Sequence, residues 1–211
     1  MNGRSNESAI TRFGKALLHL SALPGKYGSI LILILVLVVM VSVLGAQMGW
    51  SDIAVWDRRL PLLGNHLNMT SIAELQWHLF SLLIMLSGAY ALKEDRHIRV
   101  DIVSSRLKPR TRIWIDILGD VFLLIPFFAL LAWYSLAFTQ MSFNFGEQSN
   151  AGGLVDRYLI KAVLPLGSVL LVIAGVGRVI RNIGLLLSDQ FEHLDSTVDG
   201  KAETNDRGAA S

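Results

Sequence analysis

The chain has 211 residues, 52% of them apolar, with a mean hydropathy of +0.48 and a formal charge of +2. So small a charge is no electrostatic footprint for nucleic acid, and the absence of cysteine excludes disulfides, thiol nucleophiles and thiolate metal sites. The apolar residues are bunched into long runs instead of being spread at helical or strand spacing, which is the pattern of a chain that lives in a lipid bilayer.

In chain order, residues 1–27 carry Arg4, Arg12 and Lys15, while Ile10, Phe13, Leu17 and Leu20 recur at three- and four-residue steps. This stripe suits a short amphipathic helix in the inner interface, ended by Pro24-Gly25; a loosely ordered cytoplasmic tail is the competing reading. Residues 28–49 contain neither charge nor proline. They are too many for the apolar core of a signal peptide and enough to cross about 30 Å of hydrocarbon, so they predict an uncleaved first span. Trp50 and Trp56 follow as interfacial aromatics, and residues 51–70 read as a polar loop with Asp52, Asp57, Arg58 and Arg59. Asn68-Met69-Thr70 matches a glycosylation acceptor, a pattern too short to carry weight. Ser71-Ile72-Ala73-Glu74 has the spacing of a capping box, which starts the second span at 72 and carries it to 92.

Lys93–Arg112 is a polar island that holds seven of the nineteen Lys and Arg residues. Within it Ile98, Ile102, Val103 and Leu107 share one helical face, as in a helix lying along the interface, although the alternation Ile98, Val100, Ile102 equally suits a short strand. Pro109 ends this segment before the third span begins. The third span is 113–138, with Trp114 at one end, Trp133 and Tyr134 towards the other, and Pro126 as a kink. A second loop carries Glu147, Asp156, Arg157 and Lys161 before a fourth span at 158–183, which ends at Arg178 and Arg181; residues 188–211 read as a disordered cytoplasmic tail. The expected fold is an all-α integral membrane protein, a four-helix domain over 28–187 with a short amphipathic interfacial helix between the second and third spans. With both termini in the cytoplasm, the inner side holds fifteen Lys and Arg residues: four before the first span, seven in the island and four at or after the end of the fourth span. The outer side holds four, a bias that sets this orientation. There is no internal repeat of the kind that builds a self-sufficient carrier.

Few residues bear chemistry. Glu74 and His78 are four apart on one face and fit either a proton or ion site or an interfacial packing pair. A bis-histidine haem would need a second ligand at the depth of His78, whereas His19, His66, His97 and His193 all lie outside the spans. Asp116 and Asp120 are also four apart; Asp120 is deep enough that facing lipid would cost about 2–3 kcal/mol, so it must face protein or water. Either it is a cation or proton site, or it pairs with a basic residue of the island or of a partner. Gly167, Gly175 and Gly177 on the fourth span would permit close contact with a partner helix. No nucleophile, metal or cofactor constellation appears.

The second span running into Asp95-Arg96-His97-Ile98-Arg99-Val100-Asp101, then Arg106-Leu107 and Pro109-Arg110, resembles the small membrane (Q) subunit of tripartite ATP-independent periplasmic (TRAP) transporters. Glu147-Gln148-Ser149, Lys161 and Leu164-Pro165-Leu166-Gly167 continue the likeness, which covers about residues 74–183. The stretch from Glu147 to Lys161 and the loop after Trp50 are longer than the family's usual links. The resemblance implies a bacterial inner-membrane subunit without enzymatic activity or cofactor. Its partners would be a large membrane subunit and a periplasmic binding protein, and its role that of a scaffold for sodium-coupled uptake of organic acids. Glu74, His78, Asp116 and Asp120 from the spans, with Arg99, Asp101 and Glu147 from the motifs that carry the resemblance, are the candidate partner-interface or structural polar residues; no catalytic, substrate or metal ligand is expected. A four-span receptor, an assembly factor or a membrane enzyme of an unrelated family is the alternative.

Overall fold

A computed structural model describes residues 9–94 and 109–187; the island residues Arg99 and Asp101, the interfacial helix expected around them and the expected C-terminal tail lie outside the described residues. The elements are α1 (Ala9–Lys26), α2 (Gly28–Gln47), an antiparallel hairpin of β1 (Asp52–Leu60) and β2 (Gly64–Asn68), α3 (Met69–Lys93), α4 (Pro109–Gly119), a π-helical turn (Asp120–Leu124), α5 (Ile125–Asn144), α6 (Tyr158–Lys161) and α7 (Val163–Leu186). Among the described residues, four helical stretches are long and apolar enough to cross a membrane: residues 9–47, 69–93, 110–144 and 158–186.

Several boundaries differ from the sequence reading, each for a local reason. The cap of α3 is not Ser71 but Asn68, whose side chain accepts from the Ser71 N–H at 2.7 Å and from the Ser71 hydroxyl at 2.9 Å. Asparagine is at least as good a cap as serine, and it stands three residues nearer the hairpin. Pro24 does not end α1, which runs on to Lys26 and gives way to α2 after a single turn residue, Tyr27. Pro109 is the first residue of α4, where its missing N–H would have had no helical partner. Pro165 likewise falls in the first turn of α7. The third span continues beyond 138 to Asn144, because nothing breaks the helix before Gly146 with its φ of 56°.

Pro126 cannot donate to the carbonyl four residues back. Ahead of it the helix widens: Ile125 N–H bonds to the Asp120 carbonyl, five residues earlier, which closes the π turn. The interruption expected at Pro126 is therefore this wider turn, and Asp120 is its first residue.

Small residues hold the bundle together. Along α7, Gly167, Ser168, Ala174, Gly175, Gly177 and Gly184 are buried. A Cβ on Gly167 would stand 2.6 Å from the Cβ of Met85 on α3, and one on Gly175 would stand 2.6 Å from Leu124 in the π turn. These glycines are thus consumed by contacts within the chain and are not free for a partner helix, as the sequence reading had expected of them. Without a hydrophobic force between helices in lipid, such close backbone approach is what packing has to work with.

The same logic sets α1. Its apolar stripe is not the face it buries: Phe13 is 59% and Leu20 63% exposed, while Thr11, Gly14, Leu18, Ser21, Ala22 and Gly25 face the bundle. A Cβ on Gly14 would be 2.5 Å from the Arg181 backbone nitrogen, and one on Gly25 would be 2.7 Å from the Leu86 carbonyl. The helix crosses from the end of α7 to the end of α3, and Leu18 joins Ala89, Leu92 and Ala174 in the core. In contrast, α2 lies along α3 and buries only Gly28 and Gly45.

Candidate functional site

The described residues form two polar centres, one towards each end of the bundle. Towards the α1 end, Asp120 is 1% exposed and meets Arg178 of α7, whose side chain is 11% exposed. Arg178 Nε donates to Asp120 Oδ2 at 2.6 Å and Nη2 donates to Oδ1, so the planar fork of the guanidinium matches the carboxylate on both oxygens. Asp120 is therefore paired, as one of the two sequence readings required. Its partner, however, belongs neither to the island nor to another protein: it comes from the fourth span, 58 residues on. By sequence Arg178 marks the end of the fourth span, whereas in the structure it lies eight residues before the last residue of α7, Leu186. A buried acid deep in one apolar span and a base inside another was the signal available. Asp116 is half-buried one turn before Asp120.

Towards the hairpin end, Glu74 is the hub. Its Oε1 accepts from the Ser149 hydroxyl at 2.5 Å, its Oε2 accepts from the Leu154 N–H at 2.8 Å, and Arg157 stands 3.5 Å away. The carboxylate is thus turned towards the 145–157 loop and not towards His78. What His78 meets is the Glu74 backbone carbonyl, 2.7 Å from its Nδ1. A carbonyl only accepts, so in the neutral ring Nδ1 carries the proton and Nε2 is bare. Nε2 is buried without a partner among the described residues, and His78 lines an apolar cavity of about 180 Å³ with Leu62, Leu79 and Leu159.

The loop is further tied to the hairpin. Asn68 Nδ2 donates to the Gly152 carbonyl at 2.9 Å, and His66 Nε2 lies 3.3 Å from the same oxygen. The Val155 N–H donates to the Leu62 carbonyl at 2.9 Å, and Arg59 pairs with Asp156 at 3.0 Å. Trp56 closes the hairpin on itself, its indole N–H donating to the Gly64 carbonyl at 2.8 Å. Within residues 51–70, expected as a polar loop, residues 52–68 form this hairpin because Leu62 and Gly64 adopt positive φ at its turn and Asp52 pairs with Asn68 at its base. The charges along β1 masked its strand pattern.

Glu147 bonds to Lys161, which holds its carboxyl below the ordinary carboxylate value. The Lys161 ammonium also lies 3.9 Å from the centroid of the Phe138 ring. Three of the polar residues singled out by sequence, Glu74, Glu147 and Lys161, thus anchor one cap formed by the loop and the hairpin.

Against known proteins, residues 35–184 match the family of tripartite ATP-independent periplasmic transporters, DctQ component. The chain belongs to this family. It is accordingly a small permease component of a TRAP transporter, a multi-pass inner-membrane protein and not an enzyme. A search of curated proteins and a search of solved structures each found no match. The matched range of this DctQ component takes in both polar centres and the hairpin, and begins after α1.

Proposed function

We propose that this chain is the stationary scaffold of a sodium-coupled, binding-protein-dependent transporter for organic acids, bracing a large carrier subunit without binding cargo itself. The observation that carries this reading is the Asp120–Arg178 pair. A transport site needs polar groups held open to ion or substrate at membrane depth. Here Asp120, the most buried carboxylate among the described residues, is engaged on both oxygens by a guanidinium of the same chain, an arrangement that locks the π turn to α7. Two apolar flanks support the reading from outside: α2 presents side chains such as Ile30, Leu33 and Leu37 to its surroundings, and α5 presents Phe127, Leu130 and Trp133. Flanks of this kind suit a large membrane partner as well as lipid.

In the orientation proposed, both termini are cytoplasmic and the capped end, with its hairpin, faces the periplasm and the binding protein. The placing of fifteen of nineteen basic residues on the opposite side favours it. Reporter fusions after Pro61 and Gly152 are expected to read as periplasmic, and fusions after Ser104 and Leu187 as cytoplasmic; a cytoplasmic signal at Pro61 overturns the orientation. For the scaffold role, the purified chain in liposomes is expected to show no sodium-driven carboxylate uptake. Uptake is expected once the large subunit and the binding protein are added, and robust uptake by this chain alone overturns the reading.

A further inference from the structure

Beside Lys161, a groove of about 280 Å³ runs between α3, α5 and the start of α7. Its walls are apolar, among them Ile84, Met85, Phe138 and Leu164, and Lys161 is the charged residue that lines it among the described residues. Ile84 and Phe138 are each about half exposed, so the groove opens sideways onto whatever surrounds a membrane-spanning bundle. That medium is hydrocarbon along the spans and headgroups where they end. Lys161 marks such an end, being the last residue of α6 immediately before α7 begins. Its ammonium stands over Phe138, inside the groove, and is bonded to Glu147, whose side chain remains 36% exposed. A positive and a negative group therefore stand together at the polar mouth of an apolar slot.

We propose that this groove holds a phospholipid with an ethanolamine headgroup, its acyl chain along Ile84, Met85 and Phe138, its phosphate at Lys161 and its ammonium at Glu147. The charges select the headgroup. An unpaired lysine would recruit any anionic lipid, but the neighbouring carboxylate repels a net negative head and favours one that brings its own cation. Choline carries the same charge as ethanolamine without an N–H to donate, so the carboxylate, which only accepts, distinguishes the two. The ion pair within the protein and the ion pair within the lipid are then complementary, and the apolar slot beneath them suits a hydrocarbon chain.

The experiment is a titration of the delipidated full-length chain with phosphatidylethanolamine, phosphatidylcholine and phosphatidylglycerol of identical acyl composition, with bound lipid counted by native mass spectrometry. The native chain is expected to bind the ethanolamine lipid about tenfold more tightly than either competitor. Glu147→Gln is expected to bring ethanolamine and choline lipids to within about twofold of each other. Lys161→Gln is expected to lower retention of all phospholipids. Ile84→Trp leaves both charges in place and narrows the slot from its exposed side, so weaker binding of every lipid there separates groove occupancy from misfolding. Equal affinity for the three lipids in the native chain, or unchanged selectivity in Glu147→Gln, overturns the proposal. Release of the bound lipid when the large subunit is added also overturns it, since the groove would then belong to the protein partner.

Discussion

The two ends of this bundle are held by different physics. Towards the α1 end one dry, bidentate ion pair and a set of backbone approaches through Gly14, Gly177 and Gly184 leave little for water or side-chain motion to soften. At the hairpin end the fastenings are many, shared between side chains and backbone, and mostly half-exposed, from Glu74 with Ser149 and Leu154 to Arg59 with Asp156. An ion pair in low dielectric is intolerant of losing one member, whereas a solvated network loses its members one at a time. The difference fits a rigid membrane base carrying a cap that can be adjusted without unfolding it.

The comparison is broken most directly at Asp120. Asp120→Ala strands a buried guanidinium and is expected to cost about 3–5 kcal/mol in unfolding experiments in detergent, with much of the loss recovered when Arg178 is also replaced by leucine. A loss below about 1 kcal/mol, the size of an exposed pair, would put the two ends on the same footing. Gly14→Ala tests the packing of the same end. Its new Cβ meets backbone atoms of α7 that no rotamer change can move, so about 1–3 kcal/mol of overpacking is expected, read as a lowered Tm.

Glu74→Ala sharpens the contrast from the other side. It leaves the Leu154 N–H and the Ser149 hydroxyl without their acceptor, at about 1–3 kcal/mol, and faster hydrogen exchange at Leu154 with unchanged protection in the middle of α7 is the expected signature. Comparable loss of protection in α7 would mean that the cap and base are one unit. Arg59→Ala removes an exposed pair and should cost no more than about 0.2–1 kcal/mol, a loss that shrinks further in high salt.

The smallest effect belongs to pH. The carboxyl of Glu147 sits below its ordinary value of 4.5 because it accepts from Lys161. A lowered folded-state value means that the contribution of this pair is fully present above about pH 4.5 and is lost as the pH falls through the lower, folded value. Acid titration followed by hydrogen exchange in residues 145–157 should show loosening of the cap in that window, and Glu147→Gln should remove this part of the pH dependence.

Much of this was legible in the chain because membrane physics leaves a coarse mark. Four long apolar stretches, their aromatic flanks and the depth of Asp120 follow from how expensive an unpaired polar group is in hydrocarbon, so they can be read without knowing which helix touches which. Motif order among those spans pointed to the family later matched over residues 35–184. Local competition was less legible: Asn68 and Ser71 both carry capping side chains, and only the hairpin that delivers Asn68 to the start of α3 decides between them.

The sequence by itself therefore determined what has to be buried, spanned or kept wet, since those are properties of each residue against its solvent. Tertiary structure alone decided the pairings. Arg178 meets Asp120 because the π turn before Pro126 and the glycines of α7 bring two spans close enough for a bidentate contact. The carboxylate of Glu74 turns from His78 to Ser149 because the loop supplies better donors than a ring nitrogen already engaged with a carbonyl. In the same way α1 buries Gly14 and Gly25 and leaves Phe13 outside, because within lipid an exposed phenylalanine costs little and a close backbone contact is gained only where side chains are absent.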